Sequence, residues 1–429
     1  MGKTFAEKVL GKATGHSVTA GEIVIVQPDF CLSHENAAFV KRSFDKLGIK
    51  KVFDPDRIVI VLDHMVPAST IDYANTQKVT REFALQQGIR HFYDMNSTGG
   101  ICHQIMCQEG YALPGTIIVG TDSHTCTEGA FGAFATGIGR PEMAAVWATG
   151  QIWLRVPQSI KIHVDGEFPR GVCAKDLILT IIGDIKSDGA DYMSVEFHGP
   201  GIDSLSIAER MTLCNMGIEM GAKNAVCCPN EEVIDYASKR GKLENWSPVW
   251  ADEDAQYART LHYHLDDLVP AVAKPHQVDN YAKVSEVVGT RIDQAFIGTC
   301  TNARLDDLRA AASIMHAQHV KIRTIVIPAS VEVYRNAMAE GLIDCFLEAG
   351  CVIGHPGCGP CIGVSGGVMA DNEVTISTAN RNFRGRNGSN SSKIYLASPM
   401  TVAYSAICGE IRDPRDCGSL PLHLKGMRQ

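Results

Sequence analysis

The sequence predicts an α/β protein of two or three domains, and three observations carry that reading. Short apolar runs of strand length alternate with segments of helical period, with glycine-rich joints between them. The chain has 429 residues, more than a single hydrophobic core usually serves. Several apolar runs end directly on polar residues able to do chemistry, which is where open α/β sheets place their ligands.

The elements follow in chain order. Arg57-Ile-Val-Ile-Val-Leu62 reads as a buried strand and runs into Asp63-His64. A helix is expected from about Thr70, with Ile71, Val79 and Phe83 on its buried side. Thr116-Ile-Ile-Val119 is a second strand, followed by Gly120-Thr121-Asp122-Ser123-His124. Ser206-Ile-Ala-Glu209 forms a capping box; Ile207, Met211, Cys214 and Ile218 then share one face, and Gly221 suits a stop. Residues 239–281 are more charged and weakly periodic, and read as a connection into a C-terminal domain. The expected division is therefore 1–285 and 286–429. Gln294-Ala-Phe-Ile297 and Thr324-Ile-Val-Ile327 are further strands, the first entering Gly298-Thr299-Cys300-Thr301-Asn302.

Composition excludes some classes of function. A formal net charge of -8 argues against a nucleic-acid surface, which would show a basic stripe. No run of about 18 apolar residues occurs, so no membrane span is expected. The start, MGKTFAEKVL, lacks the apolar stretch of a signal peptide. Together with 15 cysteines, this points to a reducing compartment, and a cytoplasmic location is expected.

The sharpest local signal is Gly354-His-Pro-Gly-Cys358-Gly-Pro-Cys361. Two cysteines at this spacing can reach one metal centre, and the flanking glycines and prolines suit a tight loop that aims N–H groups at sulfur. Cys300 sits in a similar strand-end turn and is the natural third ligand. Three readings stand side by side. Cys300, Cys358, Cys361 and His355 could form a zinc site. Cys358 and Cys361 could be a redox pair, although such pairs normally open a helix. Three thiolates could instead hold a [4Fe–4S] cluster with one open, Lewis-acidic iron. Cys345, Cys351, Cys227 and Cys228 read as structural.

Asp63-His64 and Asp122-Ser123-His124 are acid–histidine pairs at strand ends, and His103 follows the joint Gly99-Gly100. A histidine beside a carboxylate is suited to proton transfer near neutral pH. A lone one would be read as a structural histidine; three in one segment favour chemistry. Glu196, in Val195-Glu-Phe-His-Gly-Pro-Gly201, would alone be a surface carboxylate. Asn380-Arg-Asn-Phe-Arg-Gly-Arg386 gathers arginines whose forks can bind carboxylates, or which simply face solvent.

Taken together, Leu62-Asp-His-Met-Val-Pro67, Gly100-Ile-Cys-His103, Gly120-Thr-Asp-Ser-His-Thr125, Val195-Glu-Phe-His-Gly-Pro-Gly201, Gly298-Thr-Cys-Thr-Asn302, Gly357-Cys-Gly-Pro-Cys361 and Asn380-Arg-Asn-Phe-Arg-Gly-Arg386 resemble the aconitase superfamily, in its order and over nearly the whole chain. The resemblance implies an aconitase-like fold of three α/β domains around a [4Fe–4S] cluster on Cys300, Cys358 and Cys361, with domains 1 and 2 inside 1–285. It implies that Asp63 and His64 deliver a proton to the leaving hydroxyl. Asp122 and His124 would hold hydrogen bonds around the open iron, with His103 and Glu196 beside them. Ser123, Arg381 and Arg386 would contact substrate carboxylate, and His34, in Ser33-His-Glu-Asn36, is a further substrate contact. Two positions depart from the family pattern: Thr299 replaces a serine, and Ala303-Arg304 replaces a glycine step.

Single-chain members of the superfamily carry a fourth, swivelling domain that supplies the base. This chain is expected to lack it and to need a separate small subunit. The implied activity is that of a hydro-lyase on a small hydroxy di- or tricarboxylic acid, with isopropylmalate first and homocitrate or dimethylmalate next. A zinc- or iron-dependent regulatory binding protein is the alternative from another class.

Overall fold

Runs that are apolar at every position become strands covered on both faces, as parallel sheets require. Ile58–Val61, Ile117–Gly120 and Gln294–Ile297 are buried throughout. The structure, a computed structural model, describes residues 2–418.

The first sheet is five-stranded and wholly parallel, in the order His91–Tyr93, Ile58–Val61, Phe30–Ser33, Ile117–Gly120, Phe134–Gly137. Phe30–Ser33 comes first in the chain yet lies in the middle, so the winding reverses between it and Ile117–Gly120. Such a reversal opens a crevice at the carboxyl ends of the two strands. Ser33-His34-Glu35 and Thr121-Asp122 leave from that crevice, and Asp63-His64 leaves from the adjoining strand.

A second parallel sheet runs Asn224–Cys227, Ser194–His198, Ser159–Asp165, Arg259–His264. The segment read as a connection therefore contains an edge strand. Its residues are exposed or half-buried in alternation, so it lacks the apolar density that marks a strand in sequence.

The third sheet has seven strands, in the order Tyr281–Lys283, Ala271–Ala273, Lys393–Ala397, Val374–Ser377, Gln294–Ile297, Arg323–Val326, Val352–Ile353. Ala271–Ala273 pairs antiparallel with both neighbours, and the rest of the sheet is parallel. The sheet thus draws in strands from before residue 286. Its winding reverses at Gln294–Ile297, so Cys300 and Asn380 emerge side by side from the second crevice. The largest buried apolar cluster joins these three larger sheets and includes Cys358 and Cys361.

Helix starts follow their caps. Thr70 caps Ile71–Gln87, accepting from the Tyr73 N–H, and Ser206 with Glu209 forms the expected box ahead of Ile207–Asn215. The latter helix tightens into a 3-10 turn, Met216–Met220, closed by Gly221 at φ 88°. The buried side of Ile71–Gln87 differs from expectation. Phe83 is buried, but Ile71 is 80% and Val79 38% exposed. The inward line is Gln77, Thr80, Phe83 and Ala84, with the Gln77 amide donating to the Met65 carbonyl at 2.8 Å. Among the described residues no helix is long and apolar enough to cross a membrane.

The 3-10 segment Ser123–Phe131 carries His124 and lies directly on Asn224–Cys227. Gly129 permits that approach, because a Cβ there would collide with the Ala225 carbonyl oxygen. Gly129→Ala is expected to cost about 1–3 kcal/mol, the usual penalty of overpacking. Thermal unfolding should report it as a melting temperature a few degrees lower.

Candidate active site

The carboxyl ends of the first and third sheets meet at Asp63. Its carbonyl accepts the Cys358 N–H at 2.9 Å, and its Oδ2 accepts the Cys102 N–H at 2.7 Å. Its Oδ1 lies 2.6 Å from His64 Nδ1, which fixes the ring and leaves Nε2 facing Asp122 Oδ2 at 3.4 Å. Glu35 holds the loop from below, accepting the N–H groups of His64 and Met65 at 3.2 and 2.9 Å. His34 stacks on His64 with ring centroids 3.9 Å apart.

Asp122 collects three imidazoles. Its Oδ1 lies 3.0 Å from His103 Nε2 and 3.3 Å from His124 Nδ1, and accepts the His124 N–H at 2.8 Å. Burial works to raise its pKa, but the hydrogen bonds of His103, His124 and His64 outweigh it and hold the carboxyl well below the usual range. Burial opposes the charge on His64. The negative charges of Asp63 and Cys358 and the Asp122 bond overcome it, so His64 holds its proton well above the ordinary histidine value. His103 is raised likewise; burial opposes, while Glu128, 3.1 Å from Nδ1, and Asp122 win. His64 and His103, both favoured in the protonated form beside an ionised carboxylate, are positions from which a proton can be delivered.

Across this cluster lie the cysteines. Thr299 adopts φ 77°, a strained value for a threonine, and turns the chain so that Cys300 leaves the strand end. The Asn380 amide donates to Cys300 Sγ at 3.2 Å, and its Oδ1 lies 3.9 Å from Cys361 Sγ. Arg386 Nη2 lies 3.9 Å from Cys361 Sγ, and its Nε is buried with no hydrogen-bond partner among the described residues. Gly359 passes under Ile327, where a Cβ would strike the Ile327 Cδ1. Amide and guanidinium groups aimed at sulfur suit thiolates bound in a cluster. A mononuclear zinc would draw its thiolates to about 4 Å from one another. Among the described residues, Cys300, Cys358, Cys361 and His355 do not lie together within 4.8 Å; the group that does is His34, Glu35, Asp63 and His64. Cys358 precedes and Cys361 lies within a four-residue 3-10 turn, Gly359–Ile362, and the two do not open a helix as redox pairs normally do. The zinc and redox-pair readings therefore fit less well than a cluster.

The structure brings His34, Asp63, His64, His103, Asp122, Ser123, His124, Cys300, Cys358, Cys361, Arg381 and Arg386 into one region. Ser123 opens the turn after Asp122 and is half-buried. Arg381 donates from Nε to Glu219 Oε1 at 2.7 Å, and the same oxygen lies 2.8 Å from His124 Nε2. Burial would raise Glu219, but His124 and Arg381 keep its pKa low.

Glu196 does not join them. Its carboxylate lies in the second sheet, where Oε1 accepts the Phe5 N–H and Oε2 the Tyr257 hydroxyl, both at 3.0 Å. Its inward direction in Ser194–His198 sends it to the N-terminal helix, and the carboxylates beside the histidines are Glu128 and Glu219. Glu196→Ala would leave the buried Phe5 N–H unpaired, at about 1–3 kcal/mol. Denaturant unfolding should show that loss while kcat of the folded enzyme stays within about twofold, well under the about 10²-fold expected of a proton-transfer group. Sequence reasoning missed Glu35, Glu128, Glu219 and Asn215, whose Oδ1 accepts the Asn380 amide at 3.1 Å. Glu128 and Glu219 had a signal: each is a lone acid in a run of small and apolar residues, Thr125–Ala135 and Met216–Ala222.

A family model described as "Aconitase family (aconitate hydratase)" matches residues 7–409. The chain is 48% identical over 418 residues to the "3-isopropylmalate dehydratase large subunit 1" of Methanopyrus kandleri, covering 97% of this chain and 99% of that protein. It is also 48% identical over 417 residues to the "Probable methanogen homoaconitase large subunit" of Methanothermobacter thermautotrophicus, covering 95% and 97%. Among solved structures, Thermococcus kodakaraensis aconitase X in its holo-form matches with a TM-score of 0.53 at 14% identity, over 92% of each chain, a likeness of fold.

Proposed function

The chain belongs to the aconitase family as a hydro-lyase large subunit of the split type, and on that premise we propose that it dehydrates and rehydrates a small hydroxy acid, using a [4Fe–4S] cluster held by Cys300, Cys358 and Cys361. The observation that carries this reading is the join at Asp63: one residue fixes the imidazole of His64 and accepts the Cys358 N–H. Acid and cluster loop are thereby locked in register.

When bound, such a cluster supplies an open Lewis-acidic corner for the substrate hydroxyl and carboxylate. The remaining work falls to side chains. His64 carries the proton to the departing hydroxyl, while Asp63 fixes its Nδ1 and stabilises the charged ring. Asp122 orients His64, His103 and His124 toward the same space. Arg381, braced by Glu219, and Arg386 bind substrate carboxylate and offset the charge that builds as the carbon-bound proton leaves. Ser123 and His34 complete the substrate contacts. The base for that carbon is assigned to a separate small subunit carrying the swivelling domain.

The substrate favoured is isopropylmalate, interconverted between its 2- and 3-hydroxy isomers, because several similar relatives bear that name. Equal identity to a protein named homoaconitase supports homocitrate as the second reading. The test is anaerobic co-purification with the small subunit and assay on isopropylmalate, homocitrate and dimethylmalate. A clear kcat/KM preference for 2-isopropylmalate is expected. Preference for homocitrate would select the second reading, and turnover without iron or sulfide would remove the cluster from the mechanism.

A further inference from the structure

Lys175 lies in the first turn of the helix Ala174–Ile185 and is fully buried. Its ammonium donates to the carbonyls of Thr378 and Ala379 at 2.8 and 2.7 Å. Burying a cation is costly unless a negative partner accompanies it. Among the described residues Lys175 forms no ion pair. Its acidic neighbours are engaged elsewhere. The two Asp176 oxygens accept the N–H groups of Ala271 and Cys173 at 2.8 and 3.0 Å. Asp307 accepts the Arg304 N–H at 3.0 Å and the Asn302 amide at 2.9 Å, with Arg304 Nη1 3.7 Å away. Desolvation pushes Lys175 down to about 7, against the pull of the negative charges around it.

The carbonyls that Lys175 holds immediately precede Asn380, the residue whose amide reaches Cys300 Sγ. The buried Arg304 donates to the Cys300 carbonyl at 2.6 Å. The Cys300 thiolate is also among the charges that act to keep Lys175 protonated. A thiolate-ligated cluster carries negative charge, and the two carbonyls that Lys175 holds lead directly into the residue that contacts Cys300.

We infer that Lys175 is a positioning residue for the cluster, its buried ammonium offsetting the negative charge of the thiolate-held centre and fixing Asn380 against Cys300. The inference rests on the three cysteines being cluster ligands. It separates Lys175 from an ordinary structural lysine, because removing a charge near a cluster shifts its potential in a set direction, downward, while the charge-keeping Lys175→Arg should not.

The test uses the holoenzyme with its small subunit, reconstituted anaerobically, as wild type, Lys175→Arg, Lys175→Gln and Lys175→Met. The cluster midpoint is read by EPR during reductive titration with dithionite, alongside iron and sulfide content. Loss of the cation disfavours reduction, so the Gln and Met variants should reduce at least tenfold less readily, about 59 mV lower for one electron. Lys175→Arg should stay near wild type. If Lys175→Met fails to fold, Lys175→Gln, which can still bond both carbonyls, carries the test. Loaded neutral variants with the wild-type midpoint would overturn the inference. So would failure of Lys175→Gln to fold while Lys175→Met folds and loads with an unshifted midpoint. A wild-type protein that binds no iron and sulfide would instead remove the underlying cluster assignment.

Discussion

Cys358→Ser should abolish cluster loading and hydro-lyase activity together. Serine keeps the size of the side chain, and the Cys358 N–H to Asp63 carbonyl bond is unaffected by it. The fold should survive, with an unchanged far-UV circular dichroism spectrum. What disappears is a soft thiolate ligand; a hydroxyl is a poor donor to iron–sulfur centres. Of the three cysteines, Cys358 is the one tied to the acid–base pair, its Sγ lying 3.8 Å from Asp63 Oδ2. Iron and sulfide should fall well below one cluster per chain in anaerobically prepared protein, and turnover should fall to background. Normal turnover in iron-free Cys358→Ser would leave the proposed chemistry without its Lewis acid. Cys351→Ser is the matched control: Cys351 is buried against Met315 Sδ at 3.8 Å and should leave loading intact.

Much of this arrangement is legible in the sequence. Fully apolar runs such as Ile58–Val61 and Gln294–Ile297 are long enough for strands and too short for helices, so strand ends, and therefore Asp63, Asp122 and Cys300, were legible. The cap at Ser206 was legible because its hydrogen bonds are local. The edge strand Arg259–His264 was not, since one neighbour and a half-exposed surface ask little of its composition. Glu219 and Glu128 were overlooked for a related reason. A carboxylate is recognised by what it faces, and their partners His124, Arg381 and His103 lie far along the chain. Glu196 shows the converse: a motif fixed its place in the chain, but the second sheet turned its side chain toward Phe5 and Tyr257.

The second large effect is expected from His64→Gln. Glutamine can occupy the place between Asp63 and Asp122 and still hydrogen-bond, but it cannot release a proton. With iron content unchanged, kcat for dehydration should fall about 10²–10⁴-fold, the usual contribution of a positioned general acid. The pH profile makes the assignment specific. Asp63 and Cys358 raise His64 above its ordinary value against the pull of burial, so the ring keeps its proton through neutral pH and loses it only as pH climbs past that raised value. Dehydration by wild type should therefore hold across neutral pH and decline on the alkaline side. Hydration in the reverse direction needs the neutral ring and should rise over that same limb. In His64→Gln both dependences should flatten, because the group that titrates there is gone. A variant that kept the alkaline decline, at any rate, would show that another group donates the proton; Asp122 could not be that group, since its carboxyl is held ionised well below the usual range once burial has been outweighed by its three imidazole neighbours. His103, whose two nitrogens both face carboxylates, would then be the donor to examine.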